Sequence, residues 1–264
     1  MSLITQPSNK QYSIAIKNRR LKGENFMRHK TERKALSWLL SFALTLGLIP
    51  GMTLTALAAD NTNATTWAEI QAVFTNGGTV KLGADVKADN NDSGLIIPSG
   101  VTVTLDLNGH ILDRGLTAAV AVSDGFVIKS EGTLTIQDSA PNTVHNDSYA
   151  SLPKGGVITG GHNQGGDGGG VYNKGTFTMS GGSIYNNSSE GNGGGGVCNT
   201  GSSAKFTLTD GSIANNETAG EGGGVLNRDG GEFIMSGGSI SGNRTTGSGS
   251  GGGVILINEM ICLN

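Results

Sequence analysis

The chain has 264 residues, of which 45 are glycine and only 15% are charged, with a formal net charge of −3. That much glycine excludes a helical repeat, because each glycine inside a helix costs about 1 kcal/mol against alanine, and two cysteines are too few for a disulfide framework or a metal site. Residues 1–58 hold nine of the 18 basic side chains and two of the 21 acids, so residues 59–264 carry nine bases against nineteen acids, a net of −10. That is the wrong sign for binding nucleic acid or anionic lipid, which need clustered Lys and Arg.

Residues 1–26 are polar, basic and without pattern, and Met27 opens a different segment. Arg28, Lys30, Arg33 and Lys34 form a positive stretch, Ala35 to Leu48 is uncharged and mostly apolar, Pro50-Gly51 breaks it, and Ala56-Leu57-Ala58 supplies small residues two apart. This is the layout of a secretory signal peptide over 27–58. Residues 1–26 then read as an over-extended start. The competing reading is an uncleaved membrane anchor, since no charge occurs from Ala35 to Ala59.

Region 59–76 contains Thr66-Trp67-Ala68-Glu69, a hydroxyl residue followed three places on by Glu, which is a capping box. Trp67, Ile70 and Phe74 share one helical face, and Gly77-Gly78 stops the run. The pattern predicts a short amphipathic helix that closes the end of whatever follows. Val80 and Leu82 start the first expected strand. Val101, Val103, Leu105 and Leu107 alternate, the period of a half-buried strand. Val120 and Val122, Phe126 and Ile128, and Leu134 and Ile136 continue the style. Pro141 to Pro153 is polar and is expected to loop out. Gly155-Gly156-Val157-Ile158 resembles a corner that recurs downstream.

Residues 168–254 are an explicit repeat. Gly168-Gly169-Gly170-Val171 returns at Gly194–Val197, Gly222–Val225 and Gly251–Val254. Asn173, Asn199 and Asn227 follow two places after each of the first three valines. Phe177, Phe206 and Phe233 open strands, and Ile184, Ile213 and Ile240 precede Asn187, Asn216 and Asn243 by three. A period of this length marks a stacked array. Short apolar runs between Gly, Asn and Ser fit three short strands per unit with corners between them, which stack as an all-β parallel β-helix spanning 77–254, about seven coils deep. The Asn columns predict internal ladders of side-chain amides. After Val254 the pattern fails: Ile255 to Asn264 reads as an aberrant or truncated tail, leaving either an open coil able to self-associate or an improvised apolar cap.

The Gly-Gly-Gly-Val and Ile-x-x-Asn blocks resemble the repeats of bacterial cell-surface β-helix proteins. The chlamydial polymorphic outer-membrane proteins have a similar pair, with Phe where Ile184, Ile213 and Ile240 stand here. The capped helix followed by Thr104-Leu105-Asp106-Leu107-Asn108-Gly109-His110 is similar to the opening of secreted pectin-lyase-like proteins. The resemblance implies a right-handed parallel β-helix and a secreted or cell-surface role as scaffold or adhesin-like binding surface for glycans or proteins. The alternative is a carbohydrate-binding or polysaccharide-cleaving β-helix.

Cleavage of a glycosidic bond needs two facing carboxylates. The candidates are Asp106, Asp113, Asp124, Asp138 and Asp167, and none forms a paired motif. Arg114, Arg228 and Arg244 are the only arginines after residue 58, and no Arg-rich motif surrounds them. Gly165-Gly166-Asp167-Gly168 brushes against a calcium-binding nonapeptide, but Asp167 is matched by Gly193 and Glu221 in sister units. His110, His145 and His162 lack ligand spacing. Catalytic, cofactor-binding and metal residues are therefore all read as none, with no cofactor and no enzymatic activity expected.

Overall fold

The computed structural model describes residues 60–119 and 125–257, with the backbone of 262–263. The over-extended start, the signal peptide, Val120, Val122 and Asp124 lie outside the described residues. Within them the chain is nearly all β, a parallel β-solenoid of about six turns carrying one α-helix.

The solenoid is entered through β1 (Asn61–Ala64) and α1 (Trp67–Asn76). The first turn is β2 (Gly78–Leu82), β3 (Val86–Lys87) and β4 (Leu95–Ile97), and the second is β5 (Thr102–Asp106), β6 (Ile111–Asp113) and β7 (Ile128–Ser130). The third runs through β8 (Thr133–Gln137), β9 (Val157–Thr159), β10 (His162–Asn163) and β11 (Val171–Asn173). The fourth is β12 (Thr176–Tyr185), β13 (Ser188–Ser189) and β14 (Val197–Thr200), and the fifth is β15 (Lys205–Ala214), β16 (Glu217–Thr218) and β17 (Val225–Arg228). The sixth is β18 (Glu232–Met235), β19 (Ser239–Ser241), β20 (Arg244–Thr245) and β21 (Val254–Leu256), after which β22 (Cys262–Leu263) pairs with β18. Six turns rather than seven result because residues 60–76 go into β1 and the helix, and 138–156 leave the wall between β8 and β9.

The strands stack into ladders in sequence order. The first face runs β1-β2-β5-β8-β12-β15-β18-β22, and another runs β4-β7-β11-β14-β17-β21. The expectation of three separate strands per unit needs correction in two respects. In the fourth and fifth turns the first two faces merge into single ten-residue strands, with register shifts between Met179 and Ser183. A fourth, two-residue ladder, β10-β13-β16-β20, fills the corner.

The predicted columns form. Val171, Val197 and Val225 pair in register, as do Phe177, Phe206 and Phe233, and Ile184, Ile213 and Ile240. Phe177 and Phe206 stack with centroids 4.6 Å apart, and Phe206 and Phe233 with 5.1 Å. Val103 and Leu134 continue that column downward, so a single apolar stripe crosses the coils. Each buried aromatic in such a stripe is worth about 3–5 kcal/mol against alanine.

Both asparagine ladders exist. Asn187 Nδ2 donates to Asn216 Oδ1 at 3.1 Å, and Asn216 Nδ2 to Asn243 Oδ1 at 2.9 Å. Each amide also donates to the backbone of the turn before: Asn187 to Ile158, Asn216 to Ile184 and Asn243 to Ile213. In the second ladder Asn173 donates to Asn199 at 2.6 Å and Asn199 to Asn227 at 2.5 Å. These amides satisfy corner backbone groups that the sheets do not reach, which a dry interior requires.

The glycine triplets answer two separate demands. The first glycine is left-handed, with φ 71° at Gly168, 70° at Gly194 and 63° at Gly222. The second has no room: a Cβ on Gly195 would lie 2.2 Å from the Glu217 carbonyl and 2.7 Å from that of Gly223. Only glycine lets the coils approach this closely.

The helix forms as its capping box predicts. Thr66 Oγ1 accepts from the Glu69 amide at 3.3 Å, and the Glu69 carboxylate accepts from the Thr66 amide at 3.1 Å. Trp67, Ile70, Val73 and Phe74 are its buried residues. The helix also treats an open sheet edge. The Gln71 amide donates to the Ile96 carbonyl at 3.0 Å and accepts from the Ile96 N–H at 2.9 Å, while β1 pairs with β2. Edge groups that would template association are thereby occupied. β1, not the Val80–Leu82 run, is thus the first strand.

Candidate functional site

Three places on the outer wall gather polar chemistry, and the carboxylates singled out in the sequence must be located first. Asp106 Oδ1 accepts from the amides of Asn108 and Ser139, both at 2.9 Å. Burial pushes its carboxyl up, but these bonds, the Ser139 hydroxyl and the Lys81 ammonium outweigh it and hold the pKa below the usual value. Asp138 accepts from the amides of Gly109 and Gly156, both at 2.7 Å, through different oxygens. Both residues therefore tie corners between adjacent turns. Asp167 pairs with Arg228, two turns on. Between them in the stack Gly193 bridges Asp167 to Glu221, and a Cβ there would collide with the Glu221 carbonyl. Burial raises the Asp167 carboxyl pKa, with Arg228 opposing. Cys198 is a free thiol, buried in the column of Tyr172 and Leu226, and burial pushes its pKa up as well.

Asp138 also lines a pocket, of about 260 Å³ with Lys154 and Asp210, but Asp113 differs in that a phenol from the loop above reaches its carboxylate. Asp113 Oδ1 accepts from the Gly115 amide at 2.7 Å, while Oδ2 accepts from the Tyr149 hydroxyl at 2.9 Å and lies 3.6 Å from Lys87 Nζ. Burial, together with bonding to Asp113, pushes the Tyr149 phenol well above its ordinary pKa. The pocket at Asp113 has a volume of about 270 Å³, with Thr159 and Asn186 on the wall side. Tyr149 is brought there by the Pro141–Pro153 segment, which loops out as expected. The loop is tied down: His145 Nε2 lies 2.7 Å from the Gly155 carbonyl, and the Gly155 amide donates to Thr143 at 2.9 Å.

A larger groove of about 590 Å³ runs over the narrow ladder. His162 Nε2 lies 3.2 Å from Glu190 Oε1, and Arg244 Nε donates to Glu217 Oε2 at 2.8 Å. Ser188, Ser189, Ala219 and Thr246 line the rest. Sequence reading missed Glu190 and Glu217, although the repeat register already set Glu217 opposite Ser188.

Along the first face, Thr79, Thr104, Thr135, Thr178 and Thr207 form one outward column. Among the described residues no cluster of three or more His, Cys, Asp or Glu could hold a metal, and no helix is long and apolar enough to cross a membrane. No family model, curated protein or solved structure matches this chain.

Proposed function

We propose that this chain is a secreted or cell-surface repeat scaffold, a solenoid wound right-handed, whose wall serves as an adhesin-like binding surface for glycans or proteins. One observation carries the reading. Asp106, Asp138 and Asp167 are each committed to turns or to an ion pair, while the wall carries an outward column of threonines, Thr79 to Thr207, at a regular spacing near 4.8 Å. A rigid wall with evenly repeated hydroxyls suits contact with an extended partner more than chemistry at one bond. The signal-peptide layout of residues 27–58 supports export, with the mature chain starting at Ala59 or within a few residues of it.

The second reading, a polysaccharide-cleaving solenoid, draws on the groove holding Glu190, His162 and Glu217. Fold alone decides nothing here. Residues 59–264 are to be passed over immobilised polysaccharides and cell-surface extracts while reducing ends and unsaturated products are followed. Retention without product supports the scaffold. Product that disappears in Glu190→Gln or Glu217→Gln overturns it. N-terminal sequencing of protein recovered from culture checks export, and finding Met1 or Met27 at the start would favour the anchor.

A further inference from the structure

We propose that the pocket between the 138–156 excursion and the wall is a saccharide site that takes one uncharged sugar ring. The proposal rests on the binding-surface reading above and gives it a place and a ligand class.

The first support is the way the excursion is held. It is the long departure from the coil between β8 and β9, and it is fastened at both ends and in the middle. Asp138 Oδ2 accepts from the Gly156 amide, His145 reaches the Gly155 carbonyl, and Tyr149 donates to Asp113. Tyr149 joins residues 36 apart in sequence, from a loop with no periodic pattern to a buried strand carboxylate. A loop fixed before the ligand arrives costs less to order on binding, and function concentrates in loops positioned by a rigid scaffold.

The second support is the lining. Lys87 offers ammonium donors, Asp113 a carboxylate, Tyr149 a phenol, Thr159 a hydroxyl and Asn186 a carboxamide. Donors and acceptors are mixed, which matches a ligand whose hydroxyls each donate one bond and accept others. Leu116 and Leu152 add apolar surface for the C–H faces of a ring.

Charge and size narrow the class. The Lys87 ammonium lies 3.6 Å from the Asp113 carboxylate, so the charges lining the pocket cancel. A uronate or phosphate would have to compete with Asp113 for that one cation, whereas a neutral polyol would not. The volume, about 270 Å³, falls just below the range of about 300–1,000 Å³ that suits drug-sized ligands, and so fits a single ring. Lys87 keeps 60% of its side chain exposed at the rim, which leaves a way out for the rest of a longer glycan.

The test titrates residues 59–264 calorimetrically with methyl glycosides of glucose, galactose, mannose and N-acetylglucosamine, and with galacturonate as the charged control. Saturable binding of a neutral glycoside is expected, weakened about tenfold or more by Tyr149→Phe and by Lys87→Ala. Asp113→Asn is a weaker test, because it sets an Nδ2 donor against the Tyr149 hydroxyl and the Lys87 ammonium and so disturbs the loop as well as the lining. Lys87→Ala alters a mostly exposed side chain, so circular dichroism should stay unchanged. The site is overturned if no neutral glycoside binds, if galacturonate binds tighter, or if both variants bind like the parent. Retention of the parent and both variants alike on immobilised surfaces would sink the pocket while leaving the binding-surface reading intact. Loss of all retention by the parent would sink both.

Discussion

Replacing Asn216 by leucine tests whether the amide ladder, rather than the apolar columns alone, holds the corners. Asn216 is fully buried. Its Oδ1 accepts from the Asn187 amide at 2.9 Å and from Asn187 Nδ2 at 3.1 Å, while its Nδ2 donates to Ile184 and to Asn243 Oδ1, both at 2.9 Å. Leucine keeps much of the volume and strands the Asn187 backbone N–H in a dry interior. An unsatisfied buried donor costs about 1–3 kcal/mol, and each of the three other lost bonds about 1 kcal/mol. Burying the leucine side chain returns about 1.5–3 kcal/mol. The net expectation is a loss of about 1–4.5 kcal/mol, a sizeable share of the 5–15 kcal/mol typical of a domain. The paired control is Asn215→Gly. Asn215 is exposed with φ 54°, and the same corner holds Gly242 in the next turn and Gly160 two turns back, so losing its exposed bond to the Tyr185 hydroxyl should cost no more than about 1 kcal/mol. Urea unfolding of both variants, followed by circular dichroism, decides the matter. Equal midpoints for Asn216→Leu and Asn215→Gly would refute the ladder as a source of stability.

Three further outcomes follow from the geometry. Gly195→Ala sets a Cβ 2.2 Å from a backbone carbonyl and should cost about 3 kcal/mol or more, against about 1–2 kcal/mol for Gly201→Ala, where φ is 107° but nothing lies within 4 Å; soluble yield and unfolding midpoints separate the two. Asp106 has a folded pKa below its unfolded value near 3.8, so the unfolded chain protonates first as pH falls. The stability it contributes is complete above about pH 4 and is lost as pH drops through the folded value, and Asp106→Asn should flatten the acid side of a pH 2–6 stability curve; an unchanged slope would count against it. Among the described residues β19, β20 and β21 each pair on one side only, with Val254, Ile255, Leu256 and Ile257 half-buried beside them, so a 59–264 product should self-associate through that edge. Deleting 255–264 should not cure this, and light scattering that shows a stable monomer at high concentration would refute it.

Much of the fold was legible because the repeat states its constraints several times over. A glycine triplet ending three residues before Asn173, Asn199 and Asn227 is required by left-handed backbone at one place and carbonyl contact at the next, and each column records the same answer in successive turns. The Phe177–Phe206–Phe233 stripe is readable for the same reason. β1 was not readable, since its Asn61-Thr62-Asn63 sequence is polar and its pairing with β2 is backbone work. The ten-residue β12 was hidden by Gly181-Gly182, which looks like a break and is instead the register shift inside one strand. The narrow ladder gave no hydrophobic signal because its inward residues are polar: Asn163, Ser189 and Thr218 are all buried.

The sites were less legible than the fold, and the reason lies in which columns the fold constrains. Inward positions repeat Phe, Ile, Val or Asn because packing and corner hydrogen bonds tolerate little else. Outward positions are free to vary: Ser188 stands beside Glu217 and then Arg244 in successive turns of the narrow ladder. A charge on that side costs the coil little, so the sequence marks it as noise. Leu256 shows the boundary between the two regimes. It occupies the ladder position after Asn227, where an asparagine is expected, and Asn227 answers by donating to the Gly231 carbonyl of its own turn at 2.7 Å. An inward column can thus end where the last amide finds a partner at home, whereas Tyr149 reaching Asp113 obeys no column at all. A repeat makes a scaffold predictable, and a binding specificity must be sought where the chain departs from it, first of all in the fastened loop over Asp113.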